Sequence, residues 1–170
     1  MDDVKGPDTP ECFEQMVSEY QTQLRRLCCV LLKDMQLAED AVQETFLKAY
    51  RSMEQFRKES SERTWLTRIA VNTCRDMLKS RWFRHIDQSV KIDDLPEPEA
   101  PLEPEDNGLY ETVLRLPVKQ REVVLLYFYQ SMTMQEVSDI LQISVSNVSR
   151  RLESARKALR KQLEEDERHE

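Results

Sequence analysis

The fold of this chain is easiest to recognise in TMQEVSDILQISVSNVSRRL, which occupies residues 133–152. Thr133 and Glu136 have the T-x-x-E spacing of a capping box, in which each side chain satisfies a free amide at the start of a helix. Ser144 is placed to cap a second helix after a short turn. Two short helices joined by a tight turn are the pattern of a helix-turn-helix.

Each of the two predicted helices has one apolar side. The apolar residues recur at helical spacing and predict a buried seam formed by Val137, Ile140, Leu141, Ile143, Val145, Val148 and Leu152. The opposite side of the second helix is polar and carries Ser146, Asn147, Ser149, Arg150 and Arg151. Arginine can bond a guanine edge in two places, and asparagine can do the same with adenine. This side is therefore predicted to face a DNA major groove.

Positive charge continues beyond the predicted motif. Between residues 146 and 161, six basic residues accompany a single acid, Glu153, although the formal net charge of the chain is −7. Arg156, Lys157, Arg160 and Lys161 are expected to contact phosphates, which position a helix without reading sequence, or only to solvate it. An acidic chain with basic islands indicates weak DNA affinity alone and a larger partner that supplies the rest.

The remaining sequence predicts an all-α protein, because glycine occurs only twice and amphipathic periodicity is frequent. Helices are expected at about 11–33, 37–53 and 64–81, and again from about 109 and over 117–129. The inner side of the second helix is predicted to consist of Ala38, Ala41, Val42, Thr45, Phe46, Ala49 and Tyr50. Between these groups, residues 85–106 contain four prolines and many acids, which predicts a flexible linker.

Several functions are not supported by the sequence. We find no P-loop, nucleophile elbow or metal-ligand spacing, so we expect neither an enzyme nor a cofactor, metal or small-molecule substrate. No apolar run is long enough to insert in a membrane, and the first residues lack a signal-peptide core, so we expect a cytoplasmic protein. The four cysteines are expected to be reduced structural thiols, and a redox role for Cys28 and Cys29 stays open.

Three blocks of the chain resemble the extracytoplasmic-function (ECF) sigma factors of the sigma-70 family. They are AEDAVQETFLKAY (38–50), TWLTRIAVNTCRDMLKSR (64–81) and the block from LPVKQREVV to SARKAL (116–159), which resemble regions 2.2, 2.3–2.4 and 4. The resemblance implies two small helical domains, a region 2 three-helix bundle over 1–84 and a region 4 helix-turn-helix over 107–170, joined by the acidic, proline-rich linker. It implies a sigma factor that directs promoter-specific transcription initiation.

The alternative is a free-standing helix-turn-helix regulator, which would bind duplex DNA without polymerase. That alternative leaves residues 38–50 unexplained. The chain also departs from the family: Gln142 stands at the helix-turn-helix corner, where glycine is frequent, and Ser149 and Arg150 stand where lysine and serine are frequent. The corner must therefore use a less favourable backbone or a different bend, and promoter preference cannot be copied from a relative.

The resemblance also implies protein partners. One is core RNA polymerase, bound through the clamp helices of its largest subunit, and another is an anti-sigma factor. The corresponding stripe on the second helix has three- and four-residue spacing and consists of Asp40, Gln43, Glu44 and Lys48. A merely solvated helix face is the alternative for these residues.

The resemblance also implies that the chain helps to open promoter DNA. Single-stranded bases stack on planar groups beside a basic groove. The candidates for binding and melting the −10 element are Arg57, Lys58, Trp65, Arg68, Asn72, Arg75 and Lys79. By resemblance, the loop at 57–63 and Asn72 capture an unstacked base of the −10 element. The −35 element is read by the polar side of the second helix of the motif, and Arg156 and Lys157 contact phosphates there. For Trp65, a core aromatic is the alternative.

Overall fold

The structure, a computed structural model, describes residues 10–56, 60–88 and 107–168, and its regular elements in these ranges are all helical. The prediction of an all-α protein is therefore confirmed. The seven α-helices of the described ranges are α1 (Pro10–Leu32), α2 (Met35–Ser52), α3 (Glu62–Gln88), α4 (Asn107–Arg115), α5 (Val118–Val124), α6 (Met134–Leu141) and α7 (Val145–Glu167). A 3₁₀ turn over Met53–Gln55 follows α2, and a π-helical segment over Leu125–Tyr129 follows α5.

Two predicted helix bounds differ from the structure. Helix α3 continues seven residues past its expected end at residue 81, so residues 85–88 of the predicted linker are helical. No glycine or proline interrupts this stretch before Pro96, so nothing in the local sequence stops the helix. The rest of the predicted linker, 89–106, lies outside the described residues. The helix expected over 117–129 is α-helical only to Val124 and then changes to π-helical geometry.

Helices α1, α2 and α3 pack against one another in pairs and form the first of two compact units. Their shared core is fully buried at Leu27, Ala38, Ala41, Ala49, Leu66 and Ala70. Tyr50 is a correction to the predicted inner side of α2, because 59% of it is exposed. The Phe13 ring lies edge-on to Tyr50 at 5.2 Å between centroids, which covers only part of the tyrosine.

Three cysteines belong to the core of this first unit: Cys28 on α1, Cys29 on α1 and Cys74 on α3 are buried free thiols. The pKa of Cys28 lies well above its ordinary value, mainly because of a hydrogen bond with Cys74 and secondly because of burial. Burial also raises the pKa of Cys29. Thiolate is the reactive form of cysteine, so these environments favour the structural role over the redox role.

The second compact unit contains α4 to α7. Leu116, Val124 and Ala155 form a buried cluster against which Val113, Ala158 and Leu159 pack. Arg121 is also buried in this unit, and its Nη1 donates to the carbonyl oxygens of Leu114 at 2.8 Å and Leu116 at 3.4 Å. These carbonyls lie at and just beyond the carboxyl end of α4, where the last turn of a helix has free acceptors. Arg121 thereby links α5 to the end of α4.

Candidate nucleic-acid interface

The sequence left two possibilities for the corner between α6 and α7, a less favourable backbone or a different bend, and the structure has the first. Gln142 has φ 55° and ψ 47°, in the region that glycine enters without steric cost. Its side-chain Nε2 donates to the Asp139 carbonyl at 2.6 Å. The Ser138 hydroxyl donates to the Ile143 carbonyl at 2.5 Å, and the Ile143 amide donates to the Ser138 carbonyl at 3.2 Å. These bonds hold the corner without a glycine.

Both predicted helix caps are confirmed. The Glu136 carboxylate accepts from the Thr133 amide at 2.8 Å, and the Thr133 hydroxyl accepts from the Glu136 amide at 3.2 Å, which completes the capping box of α6. At the start of α7, the Ser144 hydroxyl accepts from the Asn147 amide at 3.2 Å. Each cap satisfies a donor that the first helical turn leaves free.

The buried seam of the motif agrees with the sequence except at Ile143, which is half-buried, and at Val145. Val137, Ile140, Leu141, Val148 and Leu152 are buried. Val145 was expected to join them, but 38% of it is exposed. It is the first residue of α7 and has no preceding turn of that helix beside it. The seam of α7 instead runs from Val148 through Leu152 to Ala155. Of these three residues, only Ala155 lies outside the seam that the sequence predicts.

The predicted base-reading residues of α7 differ in their exposure. Ser146, Ser149 and Arg150 are exposed, whereas Asn147 and Arg151 are half-buried. Nη2 of Arg150 lies 3.4 Å from Oδ1 of Asn147, to which it donates. The structure therefore brings the exposed members together on one surface, with Asn147 and Arg151 at its margins. Val145 is also exposed, although the hydrophobic pattern alone placed it inside.

The basic residues farther along α7 are all exposed, but they make different contacts. The Arg156 guanidinium lies 5.6 Å from the centre of the Phe128 ring, a cation–π contact. Lys157 Nζ is 3.0 Å from Glu153 Oε1, and Lys161 Nζ is 3.7 Å from Glu165 Oε1. Exposed ion pairs of this kind contribute little to stability, so Lys157 and Lys161 can exchange their partners for phosphates at small cost.

A second polar surface lies on α3. Arg68, Asn72, Arg75 and Lys79 follow one another at four- and three-residue steps and so share one side of the helix. Asn72 and Lys79 are exposed, and Arg68 and Arg75 are half-buried. The Nε atom of Arg68 is buried and has no hydrogen-bond partner within the described part of the chain. A buried donor without an acceptor is unusual in folded proteins.

An aromatic pair lies near the start of α3. The rings of Trp65 and Phe56 are stacked, with centroids 4.6 Å apart and planes 26° apart, and both residues are half-buried. Trp65 is therefore neither a fully enclosed core residue nor a freely exposed one. Sequence reasoning did not single out Phe56, although its place directly before the polar loop was a usable signal. The loop candidates Arg57 and Lys58 lie outside the described residues.

Three residues of the predicted polymerase-binding stripe, Asp40, Glu44 and Lys48, line a groove between α2 and α3, and Gln43 does not. This groove has a volume of about 760 Å³, and its lining includes Asp40, Glu44, Lys48 and Asp76. Lys48 Nζ donates to Thr73 Oγ1 at 3.2 Å and lies 3.9 Å from Glu44 Oε1, so this lysine bridges the two helices. Asp40 and Gln43 are exposed.

Two further exposed residues extend the outer surface of α2. Leu47 and Tyr50 are 50% and 59% exposed and follow Gln43 at four- and seven-residue steps. The periodicity of α2 predicts Tyr50 on its inner side and makes no prediction for Leu47. The spacing of Leu47 from Gln43 and Glu44 could have revealed it, because positions three and four residues apart share a helix face.

Within the described ranges, no group of three or more His, Cys, Asp and Glu side chains is arranged to hold a metal ion. Across 10–56, 60–88 and 107–168, no helix combines the length and the apolar character needed to cross a membrane.

Comparison with known families gives two matches within the chain. Residues 16–84 match the description "Sigma-70 region 2", and residues 107–159 match "Sigma-70, region 4". The chain is 31% identical over 166 residues to the RNA polymerase sigma-H factor of Pseudomonas aeruginosa, covering 89% of this chain and 86% of that protein. It is 30% identical over 167 residues to the ECF RNA polymerase sigma factor SigW of Bacillus subtilis, covering 90% of this chain and 89% of the relative.

Two solved structures share the fold. One is the sigma factor RpoE in complex with the anti-sigma factor NepR from Bartonella quintana, with a TM-score of 0.78 at 23% identity, covering 89% of this chain and 96% of that one. The other is CnrH in complex with the cytosolic domain of CnrY, with a TM-score of 0.70 at 24% identity, covering 93% and 91%.

Proposed function

The chain belongs to the ECF sigma factors of the sigma-70 family, non-enzymatic proteins that direct transcription initiation, and we propose that its two helical units read separate elements of one promoter. The observation that carries the proposal is the presence of both a region 2 match and a region 4 match in one chain. A free-standing helix-turn-helix regulator would need only the second. The proposed domains are 1–84 and 107–170, the first extended by the last turn of α3.

The −35 element is read by the exposed side of α7. Arg150 is the strongest candidate for a base contact, because it is exposed and its guanidinium can bond a guanine in two places. Ser146 and Ser149 lie on the same surface and can bond base edges or phosphates. Arg156 and Lys157 lie farther along the helix, where phosphate contacts would fix its orientation in the groove.

The −10 element is bound and opened by the side of α3 that carries Arg68, Asn72, Arg75 and Lys79. Extruding a base from a duplex costs a few kcal/mol, which a fitted pocket must offset. The stacked Phe56 and Trp65 rings supply a planar group beside a basic helix, which is what unstacked bases bind.

Core RNA polymerase binds α2, through the clamp helices of its largest subunit. Asp40 and Gln43 are exposed and available to a basic partner helix. Glu44 is half-buried beside Lys48, and the bond from Lys48 to Thr73 holds α2 against α3. Within this interface, Lys48 therefore acts mainly by positioning the stripe, and the two exposed residues make the contacts.

An anti-sigma factor is a further proposed partner. The solved structures of RpoE and CnrH, which share this fold, each contain a second protein, described as an anti-sigma factor in the first. A protein that covered both α3 and α7 would hide the two proposed DNA surfaces together and so keep the chain inactive.

Run-off transcription with core polymerase on a promoter library tests the proposed function. We expect initiation only when this chain is present, and only from templates that share one pair of spaced motifs. Initiation that does not increase on adding the chain would contradict the proposal. Specific duplex binding by the chain without polymerase, together with no initiation, would favour the free-standing regulator instead.

A further inference from the structure

We infer that Val145 is a specificity-determining residue that contacts the C5-methyl group of a thymine in the −35 element. The inference rests on the proposed function of α7 as the helix that reads this element. Val145 is the first residue of α7, and 38% of it is exposed. In a helix-turn-helix, the N-terminal residues of the second helix contact base edges, so an exposed first residue lies where the bases are read.

The polar groups around Val145 are already engaged with one another. The Ser144 hydroxyl accepts from the Asn147 amide at 3.2 Å and lies 3.0 Å from the Ser146 hydroxyl. The Asn147 side chain accepts from Arg150. At the N-terminal end of α7, the side chains of Ser144, Ser146 and Asn147 therefore bond to neighbouring residues, and the exposed Val145 offers an apolar surface beside them.

An isopropyl group neither donates nor accepts hydrogen bonds, so it cannot read the donor and acceptor pattern of a base edge. The C5-methyl group of thymine is the apolar feature that the major groove presents, and apolar side chains contact it. A β-branched side chain in a helix also has one strongly preferred χ1 rotamer. Val145 therefore presents its methyl groups in one position and loses little entropy on binding.

Thymine and uracil differ only by this methyl group, which makes deoxyuridine the probe. A promoter recovered from the library is prepared with each thymine of its −35 element replaced singly by deoxyuridine. Initiation is measured with the full chain and core polymerase at limiting promoter concentration. At one position, we expect replacement to lower initiation by the wild-type chain about 4-fold, since burying one methyl group is worth about that factor in affinity.

The variants are Val145→Ala and Val118→Ala. Val118 is a matched control, because it is also a valine with 38% of its surface exposed, but it lies on α5. Val145→Ala lacks both γ-methyl groups and should show a smaller difference between the thymine and deoxyuridine templates than the wild-type chain, whereas Val118→Ala should keep the wild-type ratio. Alanine is a good helix former, and Val145 is not part of the core, so circular dichroism should show an unchanged fold.

Three results would overturn the inference: a −35 element without thymine, wild-type initiation that is indifferent to every replacement, or the same thymine preference in Val145→Ala. Failure of the wild-type chain to initiate from any promoter would contradict the proposed function itself, which separates the two failures.

Discussion

Two of the helices are followed by a residue that has a left-handed backbone conformation although it is not glycine. Lys33 follows α1 and Gln142 follows α6, both with φ near 55°. A residue with a Cβ atom pays roughly 1–2 kcal/mol for this conformation. At Gln142 the cost is partly offset by the bond from its side-chain amide to Asp139. Stability at this corner therefore depends on one side chain that both causes strain and relieves it.

Substitution of Gln142 separates these two effects. Gln142→Ala keeps the Cβ atom and loses the side-chain bond, so we expect the free energy of unfolding to fall by about 1 kcal/mol. Gln142→Gly loses the same bond but removes the steric cost, so it should be at least about 1 kcal/mol more stable than the alanine variant. Chemical denaturation measures both. Equal stabilities would show that the left-handed backbone carries no cost at this corner.

At the scale of an element, α7 combines two surfaces on one helix. Val148, Leu152 and Ala155 pack inward, and the opposite side presents Ser149 and Arg150 to solvent. From the sequence, Arg150 and Arg151 were equivalent candidates for base contacts. The structure distinguishes them, because Arg151 is half-buried and Arg150 is exposed.

Arg150→Ala should therefore weaken recognition of the −35 element more than Arg151→Ala does. A bidentate arginine contact is worth about 1–3 kcal/mol of discrimination, so initiation at limiting promoter should fall on the order of 10-fold for Arg150→Ala. Binding of core polymerase should stay unchanged, because the stripe proposed to bind it lies on α2. Arg115→Ala, an exposed arginine on α4, is the control. Equal loss of polymerase binding and promoter use would mean misfolding or a wrong assignment.

At the scale of the whole molecule, each compact unit has its own buried core. The core of the first unit lies between α1, α2 and α3, and the core of the second includes the cluster of Leu116, Val124 and Ala155. Each unit therefore has the apolar interior that an independently folding domain requires.

We expect two pieces of the chain, 1–88 and 107–170, to fold separately as helical domains. The second is close to the lower size at which domains fold alone, so it should be the less stable of the two. Thermal unfolding followed by circular dichroism measures both. A piece ending at residue 84 should melt at a lower temperature than 1–88, because it lacks the last turn of α3. A second piece without helical signal would contradict the proposed domain boundary.

Local sequence was sufficient for the features that depend on neighbouring residues. The capping box of α6, the Ser144 cap and the buried positions Val137 and Val148 all follow from side chains within a few positions of one another. The same is true of the family, because its motifs are short blocks whose order along the chain carries the resemblance.

Tertiary structure was needed wherever exposure depends on another helix. Periodicity identifies the side of a helix that is apolar, but the packing partner determines where burial stops. Periodicity assigns Val145 and Tyr50 to apolar stripes, yet both are exposed: Val145 begins α7, and the Phe13 ring of α1 covers only part of Tyr50. The bond from Lys48 to Thr73 and the stacking of Phe56 on Trp65 likewise join residues that are distant in sequence or separated by a loop, and no local pattern specifies such distances.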